Sequence, residues 1–138
     1  MFLKWLFSFL KKFFTFRTFC IGKIHRATVT DANLDYKGSI TIDAKLVEAA
    51  GLYEGQLVHI NSLNTGVHWE TYIMKGPAGK GDICLNGPPA NLFKKGEIII
   101  ILGYGLVAEK FAADSKPTVV HVDSDNKIVE VIEGSAGK

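Results

Sequence analysis

The sequence predicts a mainly β domain, a small closed barrel with one or two short helices, preceded by an amphipathic helical extension. Three observations carry this reading. Short β-branched and apolar runs separated by Gly, Pro, Asn and Asp recur from residue 20 to residue 132. Only one well-capped helical stretch interrupts them, after Asp43. The chain has 138 residues, enough for one domain with one core. Many short strands with few helices favour a small barrel.

The first element is unlike the rest. In residues 1–20, Lys4, Ser8, Lys11, Lys12 and Thr15 recur at spacings of three and four, so they line one side of a helix. The opposite side is Phe, Leu and Trp, and no acid is present. Residues 1–15 therefore read as a basic amphipathic extension suited to peripheral membrane contact through residues 1–20. Lys11-Lys12 breaks the apolar run needed for a span, and no small-residue cleavage site follows, so neither a transmembrane helix nor a signal peptide is expected. Two other readings stand beside membrane contact: a cover for an apolar patch on a neighbouring subunit, and a translated extension without a role.

The barrel domain is assigned to residues 16–132. From Cys20, Ile24, Ala27 and Val29 mark a half-exposed strand, and Asp31 to Lys37 reads as loop. Ser39 to Ile42 is a strand. Asp43 caps a helix running through Ala50, with Gly51 to end it. Leu57–Ile60 and Trp69–Met74 form a hairpin around Asn64-Thr65-Gly66. Lys75 to Lys80 is a Gly/Pro loop, and Asp82 to Leu85 is a short strand. Ala90–Phe93 suits one helical turn. Glu97–Leu102 is apolar and β-branched enough for a fully buried strand. Residues 107–113 fit either helix or strand. Thr118–Val122 and Lys127–Val131 form a last hairpin, and residues 133–138 read as a flexible tail.

Composition excludes some functions. The net charge is +2, and removing the first seventeen residues leaves −2, so the domain lacks the charge of a nucleic-acid binder. Cys20 and Cys84 stand far apart in no ligand spacing and suit reduced thiols. The four histidines form no HxxxH-type pair, so no metal site is expected.

The chemistry lies in Tyr36-Lys37-Gly38-Ser39. A serine hydroxyl directly after a glycine carbonyl can attack it and turn the amide into an ester. β-Elimination then cuts the chain and leaves a dehydroalanine that hydrolyses to a pyruvoyl group. Gly-Ser alone is more often a plain turn. Its company makes it specific: Lys23-Ile24-His25-Arg26, Thr30-Asp31-Ala32-Asn33-Leu34, Thr71-Tyr72, Asn86-Gly87 and Gly96-Glu97-Ile98-Ile99, in that order and spacing. From about Phe16 to Glu130 the chain resembles the pyruvoyl-dependent aspartate 1-decarboxylases.

The resemblance implies a double-psi β-barrel, a homotetramer with active sites between subunits, and a cytoplasmic enzyme that converts L-aspartate to β-alanine and CO2 for pantothenate synthesis. It implies a covalent pyruvoyl cofactor made from Ser39, able to take up the amine of a small amino-acid substrate and serve as electron sink. Gly38, Ser39, Thr71, Tyr36 and His25 would serve self-cleavage, with the Thr71 hydroxyl beside the Gly38 carbonyl. Tyr72 would be the proton donor, because a phenol holds its proton at neutral pH. Lys23, Thr71, His68, Asn86 and Gly87 would bind substrate. A maturation factor is an expected partner.

Two departures qualify the resemblance. The family carries an arginine where His68 stands, and a permanently charged, bidentate fork is thereby lost. That loss costs a few kcal/mol, the usual scale of a charge-assisted bond. Pro88-Pro89 replaces small residues whose N–H groups face the ligand, and proline has no N–H. A pyruvoyl decarboxylase for another amino acid is therefore one alternative, and a non-processed, membrane-associated paralogue is another.

Overall fold

The computed structural model of the protein describes residues 1–134. Its elements are α1 (Phe2–Phe14), β1 (Phe16–Thr28), β2 (Asp31–Asn33), β3 (Ser39–Asp43), α2 (Ala44–Ala49), β4 (Leu57–Ser62), β5 (His68–Gly76), β6 (Ile83–Asn86), a 3-10 turn (Pro88–Asn91), β7 (Ile98–Ala108), α3 (Glu109–Ala112), β8 (Thr118–Val122) and β9 (Ile128–Ile132). The fold is mainly β with few helices, as the sequence predicts.

The nine strands follow the order β2-β6-β3-β5-β4-β7-β1-β8-β9. Two parallel pairs, β3–β5 and β1–β8, sit among antiparallel neighbours. An up-and-down barrel would hold antiparallel neighbours only. Asn126, in the β8–β9 turn, draws the two ends of the sheet together. Its Nδ2 donates to the carbonyls of Thr28 and Gly81 at 2.8 Å each, and its Oδ1 accepts from the Thr28 N–H at 2.8 Å. The segment between β1 and β2 helps, since the N–H groups of Val29 and Thr30 donate to the carbonyls of Glu97 and Ile83.

The core inside this rolled sheet includes Ile24, Ile40, Ile60, Ile73, Leu85 and Ile101, one from each of six strands and all fully buried. Each such side chain contributes about 1.5–3 kcal/mol. Gly22 and Gly103 pair across β1 and β7, and a Cβ on either would collide with Leu52. α2 is capped as expected: the Asp43 carboxylate accepts from the Lys45 N–H at 2.8 Å.

Several boundaries differ from the sequence reading. The amphipathic helix stops at Phe14, because Phe16 to Cys20 pair with β7. Ile24 and Ala27 both reach the core despite a spacing of three. A bulge between them, with Arg26 at φ +64, resets the alternation. Asp31–Asn33, read as loop, is a short strand parallel to β6. β7 alternates between half-buried and buried residues rather than being buried throughout, and it runs to Ala108 before α3. Of the tail, Gly134 donates its N–H to Thr118 Oγ1 at 3.0 Å, and residues 135–138 lie outside the described residues.

Candidate active site

Ser39 opens β3 and pairs with Asn86 at the end of β6. Both are buried, at 0% and 4% exposure. Asn86 Nδ2 donates to Ser39 Oγ at 3.1 Å and to Thr41 Oγ1 at 2.9 Å. Ser39 Oγ lies 3.4 Å from the Lys37 carbonyl oxygen and 3.2 Å from Met74 Sδ. The hydroxyl is thus fixed on one side by a donor and turned back along the chain across Gly38. Burial without such partners would cost this polar group free energy.

Gly87 presses on the same segment. It has φ +74, and a Cβ there would lie 3.0 Å from Gly38 Cα and 3.1 Å from the Tyr36 carbonyl oxygen. Only glycine tolerates both conditions at little cost. The Gly87 N–H donates to the Asn33 carbonyl at 2.8 Å, and Asn33 Oδ1 accepts from the Asp35 N–H at 3.1 Å. The turn before Ser39 is therefore held at both ends.

A cavity of about 240 Å³ adjoins this corner, lined by Tyr36, Lys37, Glu54, Gly55, Tyr72 and Met74 among others. Tyr36 and Tyr72 are both partly exposed. The parallel β3–β5 register begins at Ile40 opposite Ile73. Continued back two residues, it sets Tyr72 level with Ser39 and Thr71 level with Gly38. Thr71 itself is half-buried and paired with Val58 of β4. A larger cavity, about 520 Å³ between Ile21, Ala49, Leu106 and Phe111, contains none of these residues.

The structure thus gathers Ser39, Gly38, Asn86, Gly87, Tyr36 and Tyr72. Lys23 and His25 stand apart on β1, where His25 pairs with His121 of β8 and their rings lie 5.1 Å apart. The His25 Nδ1 is buried and has no hydrogen-bond partner within the described chain. Burial first, then Lys23, His121 and Arg26, push this imidazole below its ordinary value, so it is neutral at neutral pH.

His68 also lies outside the Ser39 corner. Its Nδ1 lies 2.8 Å from Asn61 Oδ1, and its Nε2 lies 3.3 Å from Glu70 Oε1. The histidines therefore do meet, across strands rather than along a helix: His25 with His121, and His59 with His68 at 5.1 Å. Spacing along a helix does not test residues on strands: hairpin register brings the ligand atoms of His59, His68 and Glu70 within 4.8 Å of one another.

Sequence reasoning missed Met74, Thr41 and the anchoring carbonyl of Asn33. Met74 was open to discovery, since it stands two residues after Tyr72 and shares its face of the strand. Asn33 lies in a segment that carried the resemblance but had no role assigned to it.

Residues 15–129 match the family described as Aspartate decarboxylase. The chain is similar to the aspartate 1-decarboxylase of Dehalococcoides mccartyi, 50% identical over 117 residues covering 85% of this chain and 94% of that protein. It is similar to that of Corynebacterium efficiens, 51% identical over 113 residues, 82% and 83% of the two chains. It is also similar to that of Neisseria meningitidis, 50% identical over 117 residues, 85% and 92%. With a match over most of its length and relatives at half identity, the chain belongs to the aspartate decarboxylase family.

Proposed function

We propose that this protein is an aspartate 1-decarboxylase that releases CO2 from L-aspartate to give β-alanine, after cutting itself between Gly38 and Ser39. One observation carries the reading. The Ser39 hydroxyl is buried, held by Asn86 Nδ2, and turned back over a glycine that has no side chain to obstruct it. In the cut, Oγ bonds to the Gly38 acyl carbon as the amide C–N bond breaks. Elimination then releases the Gly38 carboxylate, and water replaces the remaining nitrogen, which leaves as ammonia. Residues 1–38 and 39–138 become separate chains, the second beginning with a pyruvoyl group.

The residues present suit that group. Asn86 Nδ2 can donate to a ketone oxygen as it does to a hydroxyl, and a cavity lies alongside. Once formed, the group supplies an electron sink for loss of the substrate carboxylate. The Tyr72 phenol opens onto the cavity and serves as proton donor to the substrate carbon. Thr71, level with Gly38, steadies the oxyanion that develops during cleavage. Lys23 pairs with a substrate carboxylate, while His25, Tyr36 and Gly87 shape the site.

Lys23 and His25 do not reach the Ser39 of their own chain, which supports sites formed between subunits of a homotetramer. β9 agrees with assembly: all five of its residues are exposed, Ile128, Val129, Val131 and Ile132 among them. α1 also leaves Phe2, Leu3, Trp5 and Phe7 exposed, an apolar surface suited to a membrane interface or a second subunit. No helix among the described residues is long and apolar enough to cross a membrane. β-Alanine would feed pantothenate synthesis in the cytoplasm, with a maturation factor as a further partner.

Intact-mass spectrometry tests the reading. Two fragments meeting at residues 38 and 39, the larger with a blocked N-terminus, together with β-alanine released from aspartate, are expected. A single uncut chain after prolonged incubation overturns it. A second reading, another amino acid as substrate, is favoured by His68, whose two nitrogens both face partners on its own hairpin. Turnover of a different amino acid with none of aspartate would select it.

A further inference from the structure

The β4–β5 hairpin carries a cluster around His68 whose other members, His59, Asn61 and Glu70, have no part in the decarboxylase reading. His59 pairs with Glu70, and Asn61 pairs with His68. Residues two apart on a strand share a face, so all four side chains project from the same side of the hairpin. His59 Nε2 lies 3.5 Å from Glu70 Oε1, and His68 Nε2 lies 3.3 Å from the same oxygen. The three ligand atoms lie within 4.8 Å of one another. Tetrahedral bonds of about 2.0–2.2 Å imply ligand-to-ligand separations of about 3.3–3.6 Å. Both measured nitrogen–oxygen distances fall in or beside that range.

Two supports orient the imidazoles from behind. Asn61 Oδ1 lies 2.8 Å from His68 Nδ1; with the ring proton on Nδ1, that nitrogen donates to Asn61 and Nε2 carries the lone pair that would face an ion. Such an outer partner is how ligating histidines are commonly held. His59 packs against Tyr104 of β7 with ring centroids 4.4 Å apart. The cluster is part-exposed, so an ion can enter, and water can complete its coordination.

From this geometry we propose that His59, His68 and Glu70 form a binding site for a late first-row divalent cation, with Zn²⁺ the representative ion. Two imidazoles and one carboxylate suit such ions better than Mg²⁺ or Ca²⁺, which prefer oxygen ligands. The bound ion pins β4 to β5 at two successive cross-strand pairs. The site is independent of cleavage at Ser39 and stands whether or not aspartate is the substrate.

The test uses the full chain, stripped by chelator. Calorimetric titration with Zn²⁺ is expected to give one ion per chain at micromolar affinity or tighter, with a rise in thermal midpoint. Co²⁺ substitution is expected to give visible bands of nitrogen and oxygen coordination without an intense near-ultraviolet thiolate band. Glu70→Gln and His59→Gln should each weaken binding at least tenfold, and Asn61→Ala by about tenfold. Asn61→Asp keeps the acceptor and should retain binding, while His121→Gln, in the other histidine pair, should leave affinity unchanged. No Zn²⁺ binding, a thiolate band, or equal affinity for Glu70→Gln and the parent chain would each overturn the proposal.

Discussion

The Ser39 corner and the His59–Glu70 face are both built from cross-strand pairs, yet they depend on opposite physics. At the corner, Ser39 and Asn86 are sealed from water, and Gly87 lies so near Gly38 that a side chain there would crowd it. On the hairpin face, the Glu70 and His68 side chains are about half exposed. In the first region a lost partner leaves an unsatisfied polar group, which is costly. In the second, water replaces the partner. Mutations should therefore act sharply at the corner and weakly on the face.

The largest expected effect is Ser39→Ala. Without Oγ the chain should remain uncut by mass spectrometry, and β-alanine release should fall to background. Asn86→Ala comes next. It removes the only side-chain donor to Ser39 Oγ among the described residues, and loss of one aligned donor commonly slows a reaction by about 10²–10³-fold. Cleavage followed over time should show that slowing. A normal rate would mean that the Lys37 carbonyl and Met74 Sδ suffice to position the buried hydroxyl.

The difference in setting also explains what was legible in the sequence. Tyr36-Lys37-Gly38-Ser39 is local, so the candidate serine could be read from neighbouring letters, though only motifs distant in the chain made it specific. β3, α2, the β4–β5 hairpin and the β8–β9 hairpin could be read for the same reason: alternation, an Asp cap and turn residues lie within each segment. Asn33 holding Gly87, and Asn126 joining the ends of the sheet, are contacts between distant segments that no local pattern encodes. β2 was missed because three residues are too few for alternation, and pairing with β6 alone makes it a strand. The His59–His68 meeting was missed because it follows from hairpin register, not from spacing along a helix.

Asp43 offers a third setting, buried and ionised, that sharpens the comparison through pH. Burial alone would raise its carboxyl, but N–H groups of Gly79, Gly81 and Lys45, with Lys127 nearby, outweigh burial and hold it below the ordinary carboxylate range. A depressed folded value means stability that is present above the unfolded value, about pH 4, and lost as pH falls through the folded one. Asp43→Ala should destabilise by about 3 kcal/mol at pH 7, since it strands several donors at once. Asp43→Asn should flatten the loss of stability between pH 5 and about pH 2 in urea titrations. Gly87→Ala should cost less, about 2 kcal/mol, from its φ and from contact with Gly38.

The smallest effect tests the other side of the comparison. Glu70 pairs with His59 and His68 at part-exposed positions, and exposed ion pairs contribute about 0–1 kcal/mol. In chelator, Glu70→Gln should therefore shift the urea midpoint barely beyond error and leave cleavage at Ser39 intact. With Zn²⁺ at a hundredfold excess over its dissociation constant, the parent chain should gain about 2.7 kcal/mol by linkage and the variant very little. A large loss of stability without metal would mean that Glu70 holds the hairpin directly, and the contrast between a packed corner and a solvated face would fail. A small loss without metal and a large one with it would show the same three side chains idle as an ion pair and decisive as ligands.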